Sequence, residues 1–586
     1  MRSYLLFATA LLPLAAQSID QPLSLFNDDP LNVFKLVRGD IGSGRMERVS
    51  VSGQTFPEAL SLTTTVVPTS SWNLRVRALG NGAVKKDDTI LTTFWARCVE
   101  PAGGECALIL NVEQAISPYT KSASTPFIMG PEWKQFRFIF RMAEDYNPGG
   151  YYVDFWMSQL VQVAEVGGMS FSNYGPGVKA TDLGIDALYD GGAADAPWRI
   201  AAEERINQIR KGDLTVAVTD PDGNPIAAAE VRVRMKRHAF GWGTAVAASV
   251  LFGTKEDNEK YRQFILDNFN CVVLENDLKW PSWDTENGRI RALQAVQWFH
   301  ERGIHKIRGH NLIWPNWQYL PSTVRALEND PEALRKLLID HIQDEVTANR
   351  GTLMDWDVIN EAYTNRDLQK ILGDDEMVGW FRVARDYDPD AKLFINDYNI
   401  IAANGANILH RNGYFDIITS LLSKDAPVDG IGMQGHFGSP TAPETMLRII
   451  DRFATFNKQI EITEFDFNTS DEELQAQFTR DLLITAFSHP SMTNFLMWGF
   501  WEGQHWLPRG AMVRKDWTTK PNYDVWRELV YTKWWTNELG ATGEDGLYAV
   551  RGFLGDYEIE VTAGEKTLTI PVTLSRDGAV VQAVLQ

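Results

Sequence analysis

Two glutamates stand at the ends of short apolar runs in this 586-residue sequence. Glu361 follows Trp356-Asp357-Val358-Ile359-Asn360, and Glu464 follows Glu461-Ile462-Thr463 and precedes Phe465-Asp466. A lone glutamate after a strand is most often a helix N-terminal charge. A pair in polar surroundings suits proton transfer and nucleophilic attack at a glycosidic bond. Asn360 is placed to hydrogen-bond a sugar hydroxyl, and Asp466 and His436 to tune Glu464. Other strand-like runs also end in polar or aromatic groups: Glu275-Asn276 with Lys279 and Trp280, His310-Asn311 with Trp314, Asn396-Asp397-Tyr398-Asn399, Gln434-Gly435-His436, and Trp498 with Trp506. Aromatic faces and paired polar groups in this number suit a ring-shaped, polyhydroxylated ligand.

The elements that must position these residues follow from periodicity. Over 238–535, eight apolar runs alternate with amphipathic helical stretches, beginning at Phe240–Val246 and ending at Phe495–Trp498. That is the pattern of an α/β fold, a (β/α)8 barrel, whose site gathers at the C-terminal strand ends. Residues 19–190 carry short alternating runs such as Leu91–Ala96, Lys134–Phe140 and Tyr152–Met157, which predict a β-sandwich or jelly roll. A helical linker is expected over 191–212, with Asp195 as N-cap and Pro197 in the first turn. The β segment 213–237 and the C-terminal β unit 536–586 would pair as one discontinuous sandwich around the barrel; two unrelated small β units are the alternative.

A chain this long exceeds a single core. Its net charge of −20 argues against nucleic acid and anionic membranes as partners and suits a neutral polymer. Residues 1–18 read as a signal peptide, with one basic residue, a short apolar run and small residues near Ala16, so the protein is expected to be secreted, extracellular or periplasmic. No later run is long and apolar enough to span a bilayer. Three cysteines do not make a disulfide scaffold. Cys98 and Cys106 flank a turn signal and are expected to face each other across a hairpin, either bonded or as two thiols, and Cys271 reads as core. No His/Cys cluster has metal-ligand spacing and no nucleotide-binding glycine pattern stands out, so no metal and no cofactor are expected.

Taken together, Glu275-Asn276-x-x-Lys279-Trp280, Arg308-Gly309-His310-x-Leu312-x-Trp314, Trp356-Asp357-Val358-x-Asn360-Glu361, Asn396-Asp397-Tyr398-Asn399, Gly430-Ile431-Gly432-Met433-Gln434-x-His436, Ile462-Thr463-Glu464-x-Asp466 and Trp498-Gly499 resemble family 10 glycoside hydrolases, the endo-β-1,4-xylanases. The resemblance runs in the family's order across about 300 residues. It implies a retaining hydrolase acting on xylan, with Glu361 as acid/base and Glu464 as nucleophile. It also implies that Glu275, Asn276, Lys279, His310, Trp314, Gln434, His436, Trp498 and Trp506 bind sugar or orient the nucleophile; Asn360 and Tyr398 are expected to bind substrate with them. Two stretches depart from the family. Pro315-Asn316-Trp317 stands where the family usually reads His-Ser-Gln, and Phe500-Trp501-Glu502 where it usually has a small residue and Asp. Both put subsite details and the preferred substrate in question. Upstream, Gly130-Pro131-Glu132-Trp133-Lys134-Gln135-Phe136 and Glu165-Val166-Gly167-Gly168-Met169-Ser170 resemble jelly-roll carbohydrate-binding modules of the family 4/9/22 type. Trp72, Trp95, Trp133, Tyr151, Tyr152 and Trp156 are core or platform there. The alternatives are a retaining barrel hydrolase on another β-linked glycan, or a non-catalytic carbohydrate-binding protein.

Overall fold

The computed structural model describes residues 21–38, 43–101, 104–185 and 189–586, so the signal-peptide stretch 1–18 lies outside the described residues. The chain divides into two compact units, Met1–Leu188 and Tyr189–Gln586.

The first unit packs two antiparallel sheets. One orders Ser43–Ser50, Glu58–Val66, Gln162–Pro176, Asp88–Glu100 and Lys134–Arg141, with Leu23–Ser24 added on Gln162–Pro176. The other orders Lys35–Arg38, Leu74–Leu79, Tyr151–Trp156, Cys106–Gln114 and Lys121–Met129. Alternation decides which side chains meet between the sheets. Tyr151, Val153 and Phe155 enter the core, and Phe155 meets Phe94 edge to face at 5.2 Å. Tyr151 is therefore core. Trp95 lies within strand Asp88–Glu100 of the six-stranded sheet, and Trp133, just before Lys134–Arg141, packs edge-on against Phe56 at 5.2 Å. Cys98 and Cys106 form a disulfide. Their strands belong to different sheets, so the bond ties the two layers together rather than closing a hairpin.

The second unit contains a closed barrel of eight parallel strands: β1 (Gly241–Val246), β2 (Cys271–Leu274), β3 (Lys306–Ile313), β4 (Asp355–Asn360), β5 (Lys392–Asp397), β6 (Gly430–Met433), β7 (Gln459–Phe467) and β8 (Met492–Met497). Each pairs with the next, and β8 pairs with β1. Strands buried on both faces need continuous apolar runs, and β2 and β6 are buried at every residue. The outer helices show the 3.6-residue period. In Pro443–Ala454, Met446, Ile449, Ile450 and Phe453 face inward, with Pro443 in the first turn. Asp471 caps Glu472–Ser488 by accepting the Leu474 N–H at 3.0 Å.

Helix Pro197–Ile209 packs on the barrel helix Glu472–Ser488 within this unit. Its N-cap is Ala196, with no side-chain cap, so Asp195 does not serve as expected. Arg210, just beyond it, donates to the carbonyls of Phe487 (2.8 Å), His489 (2.7 Å) and Met492 (2.9 Å). Phe487 and His489 lie at the C-terminus of Glu472–Ser488, where a cation is favoured. Strands Lys211–Thr219 and Glu230–His238 then pair with the far end of the chain. Lys211–Thr219 lies between Leu547–Phe553 and Ala579–Val584, and Glu230–His238 between Asn537–Ala541 and Gly555–Ala563. The barrel is thus inserted into a small β structure built from both of its flanks.

Candidate active site

Glu361 and Glu464 both line a cleft of about 600 Å³ at the C-terminal strand ends. The backbone of Glu361 leaves β4 with φ +57°, a left-handed conformation that costs a non-glycine residue on the order of 1–3 kcal/mol. Its N–H is held by the Asn396 carbonyl at 2.7 Å. Glu464 does not follow its strand, as the sequence suggested, but sits inside β7, which runs on to Phe467. The β7–β8 ladder shifts register between Ile462 and Phe465. In a regular strand, neighbouring side chains point to opposite faces. Across this irregularity, Thr463 and Glu464 both reach Asn396: Thr463 Oγ1 donates to its Oδ1 at 2.8 Å, and its Nδ2 donates to Glu464 Oε1 at 2.8 Å. Gly432 makes room for that amide, since a Cβ there would lie 2.3 Å from Asn396 Oδ1.

The two carboxyls receive different partners. Trp314 Nε1 (3.1 Å) and Asn365 Nδ2 (2.9 Å) donate to Glu361 Oε2, and Gln434 Nε2 donates to Oε1 at 3.1 Å. Burial raises the Glu361 pKa to about 7. The N–H of Gln434 restrains the rise, and the negative charges of Glu464 and Asp397 add to it. Glu464 Oε2 meets His436 Nε2 at 3.1 Å, and His436 Nδ1 meets Asp466 Oδ2 at 2.9 Å. Burial alone would lower the imidazole. The two carboxylates outweigh it and raise His436 to about 10, so the ring is a cation donating from both nitrogens. Burial likewise opposes ionisation of Glu464, but the N–H of His436, with the imidazole of His310 and the charge of His436 beside it, holds its carboxyl below the ordinary value. Trp506 Nε1 donates to Asp466 Oδ2 at 2.8 Å and steadies the far end of this clamp.

The rest of the cleft assembles from the other strand ends. Glu275, Lys279, His310, Trp314, Asn360, Tyr398, Gln434, His436, Trp498 and Trp506 all line it. Asn276 does not. It is exposed and accepts from Lys279 Nζ at 3.0 Å, so it holds the lysine rather than a ligand. Lys279 sits over the rings of Trp314 and Trp498, and burial lowers its pKa despite Glu464, Glu275 and Glu361 nearby. Burial raises Glu275. Asp357 Oδ2 holds His310 Nδ1 at 2.8 Å, and Arg308 Nη2 holds Asp357 Oδ1 at 2.7 Å. Asn360 Oδ1 accepts from Asn396 (3.0 Å), while its Nδ2 is buried without a hydrogen-bond partner. Among the described residues no group of histidine, cysteine and acidic side chains could hold a metal ion.

Residues 232–528, half of the chain, match glycosyl hydrolase family 10. The chain belongs to that family. It is 34% identical over 390 residues to the anti-sigma-I factor RsgI6 of Acetivibrio thermocellus, covering 66% of this chain and 49% of that protein. It is 29% identical over 400 residues to endo-1,4-beta-xylanase 1 of Arabidopsis thaliana, covering 67% and 41%. The chain therefore spans less than half the length of these two relatives. Endo-1,4-beta-xylanase B of Thermotoga neapolitana is 29% identical over 327 residues, covering 52% of this chain and 93% of that protein. Xylanase 10B of Thermotoga petrophila, solved with xylobiose, has 29% identity, covers 50% of this chain and 95% of its own, and superposes with a TM-score of 0.46.

The stretches that depart from the family 10 pattern behave differently. Phe500, Trp501 and Glu502 do not line the cleft. Phe500 stacks on Phe264 at 4.6 Å, Trp501 stacks on Trp517 at 4.8 Å, and Glu502 pairs with Lys520 at 2.8 Å, so this change belongs to packing. Pro315–Trp317 stays close to the chemistry, because Asn316 Nδ2 donates to Asn365 Oδ1 at 2.8 Å. The motifs did not mark Tyr319, Thr364 or Asn365, which also line the cleft. Tyr319 stacks on Trp314 at 3.6 Å, and Tyr398 Oη donates to Thr364 Oγ1 at 3.1 Å. All three sit in loops after β3 and β4, where no periodic pattern betrays them.

Proposed function

We propose that this chain is a retaining endo-β-1,4-xylanase. The observation that carries the reading is two glutamates in one cleft with unlike partners, neutral N–H donors on Glu361 and on Glu464 the imidazole of His436, itself held by Asp466. Burial raises Glu361 against its neutral donors, and His436 lowers Glu464 against burial. Environments that drive paired carboxyls apart assign acid and nucleophile. Glu464 attacks the anomeric carbon, Glu361 gives its proton to the leaving oxygen, and a covalent glycosyl-enzyme forms. Glu361 then takes a proton from water, which displaces Glu464 with net retention. The names of the Arabidopsis and Thermotoga relatives support xylan as the substrate. The second reading is a glycan-binding protein without turnover; one relative is named an anti-sigma-I factor rather than a hydrolase. The opposed states of the two carboxyls favour catalysis.

In the first unit, the outer face of the five-stranded sheet supports a glycan-holding role. Tyr152 lies under Arg77 at 3.9 Å, Trp156 under Lys121 at 4.7 Å, and exposed Trp72 packs against Trp156. Tethering to a polymer raises its effective concentration at the cleft. The Cys98–Cys106 disulfide agrees with an oxidising compartment and thus with the export read from residues 1–18.

Xylan and mixed-linkage β-glucan incubated side by side test the reading. Xylo-oligosaccharides of several lengths, β-configured when first released, are expected. Xylose alone, α-configured products or preference for β-glucan would overturn it. Full-length Glu464→Ala should be retained on insoluble xylan and released by a further Trp156→Ala. Retention that ignores Trp156 removes the sheet face from the account.

A further inference from the structure

One hydrogen-bond chain reaches Glu361 from a stretch that departs from the family. The backbone N–H of Gln318 donates to Asn316 Oδ1 at 2.8 Å, Asn316 Nδ2 donates to Asn365 Oδ1 at 2.8 Å, and Asn365 Nδ2 donates to Glu361 Oε2 at 2.9 Å. A backbone N–H can only donate, so the direction of the chain is set at its source. An amide turned the other way would oppose oxygen to oxygen or N–H to N–H at each link. The indole of Trp314, also donor only, adds a second N–H to the same Oε2 at 3.1 Å. Both lone-pair sites of Oε2 are then taken. Oε1 receives one N–H, from Gln434, and keeps one site open.

We propose that Asn365, held in one orientation by Asn316, is a positioning residue that leaves Glu361 a single oxygen, Oε1, on which to carry the transferred proton. The proposal rests on the reading of Glu361 as acid/base. In the first step the Oε1–H bond breaks toward the glycosidic oxygen, which keeps the electron pair of the breaking C–O bond. The carboxylate left behind is stabilised by the three N–H groups already in place. A proton free to sit on either oxygen would spend part of its time facing Trp314 and Asn365, away from the substrate. The titratable groups facing Glu361 are Glu464, Asp397, Tyr398, Tyr319 and Lys279; none of them takes part in the amide chain.

The test is a carbon-13 NMR titration of the Glu361 carboxyl in the full chain, assigned by difference with Glu361→Gln. In Asn365→Ala the carboxylate loses a donor. In Asn316→Ala the donor to Asn365 is lost without adding a charge, and Asn365 is free to turn its carbonyl toward Glu361. Both should raise the Glu361 pKa, by about one unit for a lost hydrogen bond to a charged group. The alkaline limb of kcat/KM should move up with it. Phenyl xylobioside, which needs the acid, should lose about tenfold more kcat/KM than 2,4-dinitrophenyl xylobioside, which does not. A Glu361 titration unchanged in both variants, or equal losses on both glycosides, would overturn the proposal. Should Asn365→Ala not fold, Asn316→Ala carries the test from outside the cleft. If the parent protein hydrolyses neither glycoside, the xylanase reading fails, and the titration still decides what Asn365 does.

Discussion

The ends of β4 and β7 each offer one glutamate to the same cleft, and their surroundings treat it in opposite ways. Around Glu361 the donors are neutral N–H groups from an indole and two amides, with carboxylates beyond them. Around Glu464 the decisive donor is an imidazolium, held as a cation by Asp466 on the far side. Glu464 is buried and Glu361 half-buried, and burial alone would raise both. What separates them is whether a full positive charge stands next to the carboxyl. Neutral donors restrain the effect of burial, and a clamped cation reverses it.

Removing the β7 carboxylate breaks the comparison most severely. Glu464→Ala should lower kcat on aryl xylobiosides by about 10⁴-fold or more, as deletion of a covalent nucleophile does. Azide should restore turnover and yield the α-glycosyl azide; activity close to the parent's would sink the assignment. Removing the cation instead sharpens the contrast. In His436→Asn, Glu464 loses its charged donor and the ionised form is disfavoured, so its pKa rises. The acidic limb of kcat/KM should move to higher pH by about one to two units, and an acidic limb left in place would refute the role given to His436. The smallest effect is on stability. Folded Glu361 keeps its proton up to about pH 7, whereas a glutamate at its ordinary value of 4.5 has already released it. The native state binds more protons than the unfolded chain in that window, so stability falls as pH rises through it, by roughly 3 kcal/mol in full. Glu361→Gln removes the titration. Its melting temperature should exceed that of the parent at pH 8 and match it near pH 4; an equal difference at both would rule out this linkage.

The barrel strands and both glutamates were legible because parallel strands buried on two faces must be apolar throughout, and polar groups then stand out where each run ends. Tyr319, Thr364 and Asn365 were not, since a loop residue's reach depends on a fold already formed. Phe500–Glu502 misled for the opposite reason. Their place beside Trp498-Gly499 suggests the cleft, but Phe500 is buried by a stack on Phe264, far back in the sequence, and Trp501 by one on Trp517 in the loop that follows. The spacing of Cys98 and Cys106 suits a hairpin as well as a crossing between layers, and only the strand order separates the two.

The small β structure that encloses the barrel also fixes an order of events during synthesis. Lys211–Thr219 and Glu230–His238 leave the ribosome about 300 residues before the strands that flank them. At about 5–20 residues per second they wait on the order of 15–60 s with open edges. The last barrel strand, Met492–Met497, emerges about 40 residues before Asn537, so the barrel can close only at the end of that interval, just before the last strands arrive. A chain released short of Asn537 would therefore carry a finished cleft above two unpaired strands, an invitation to edge-to-edge association.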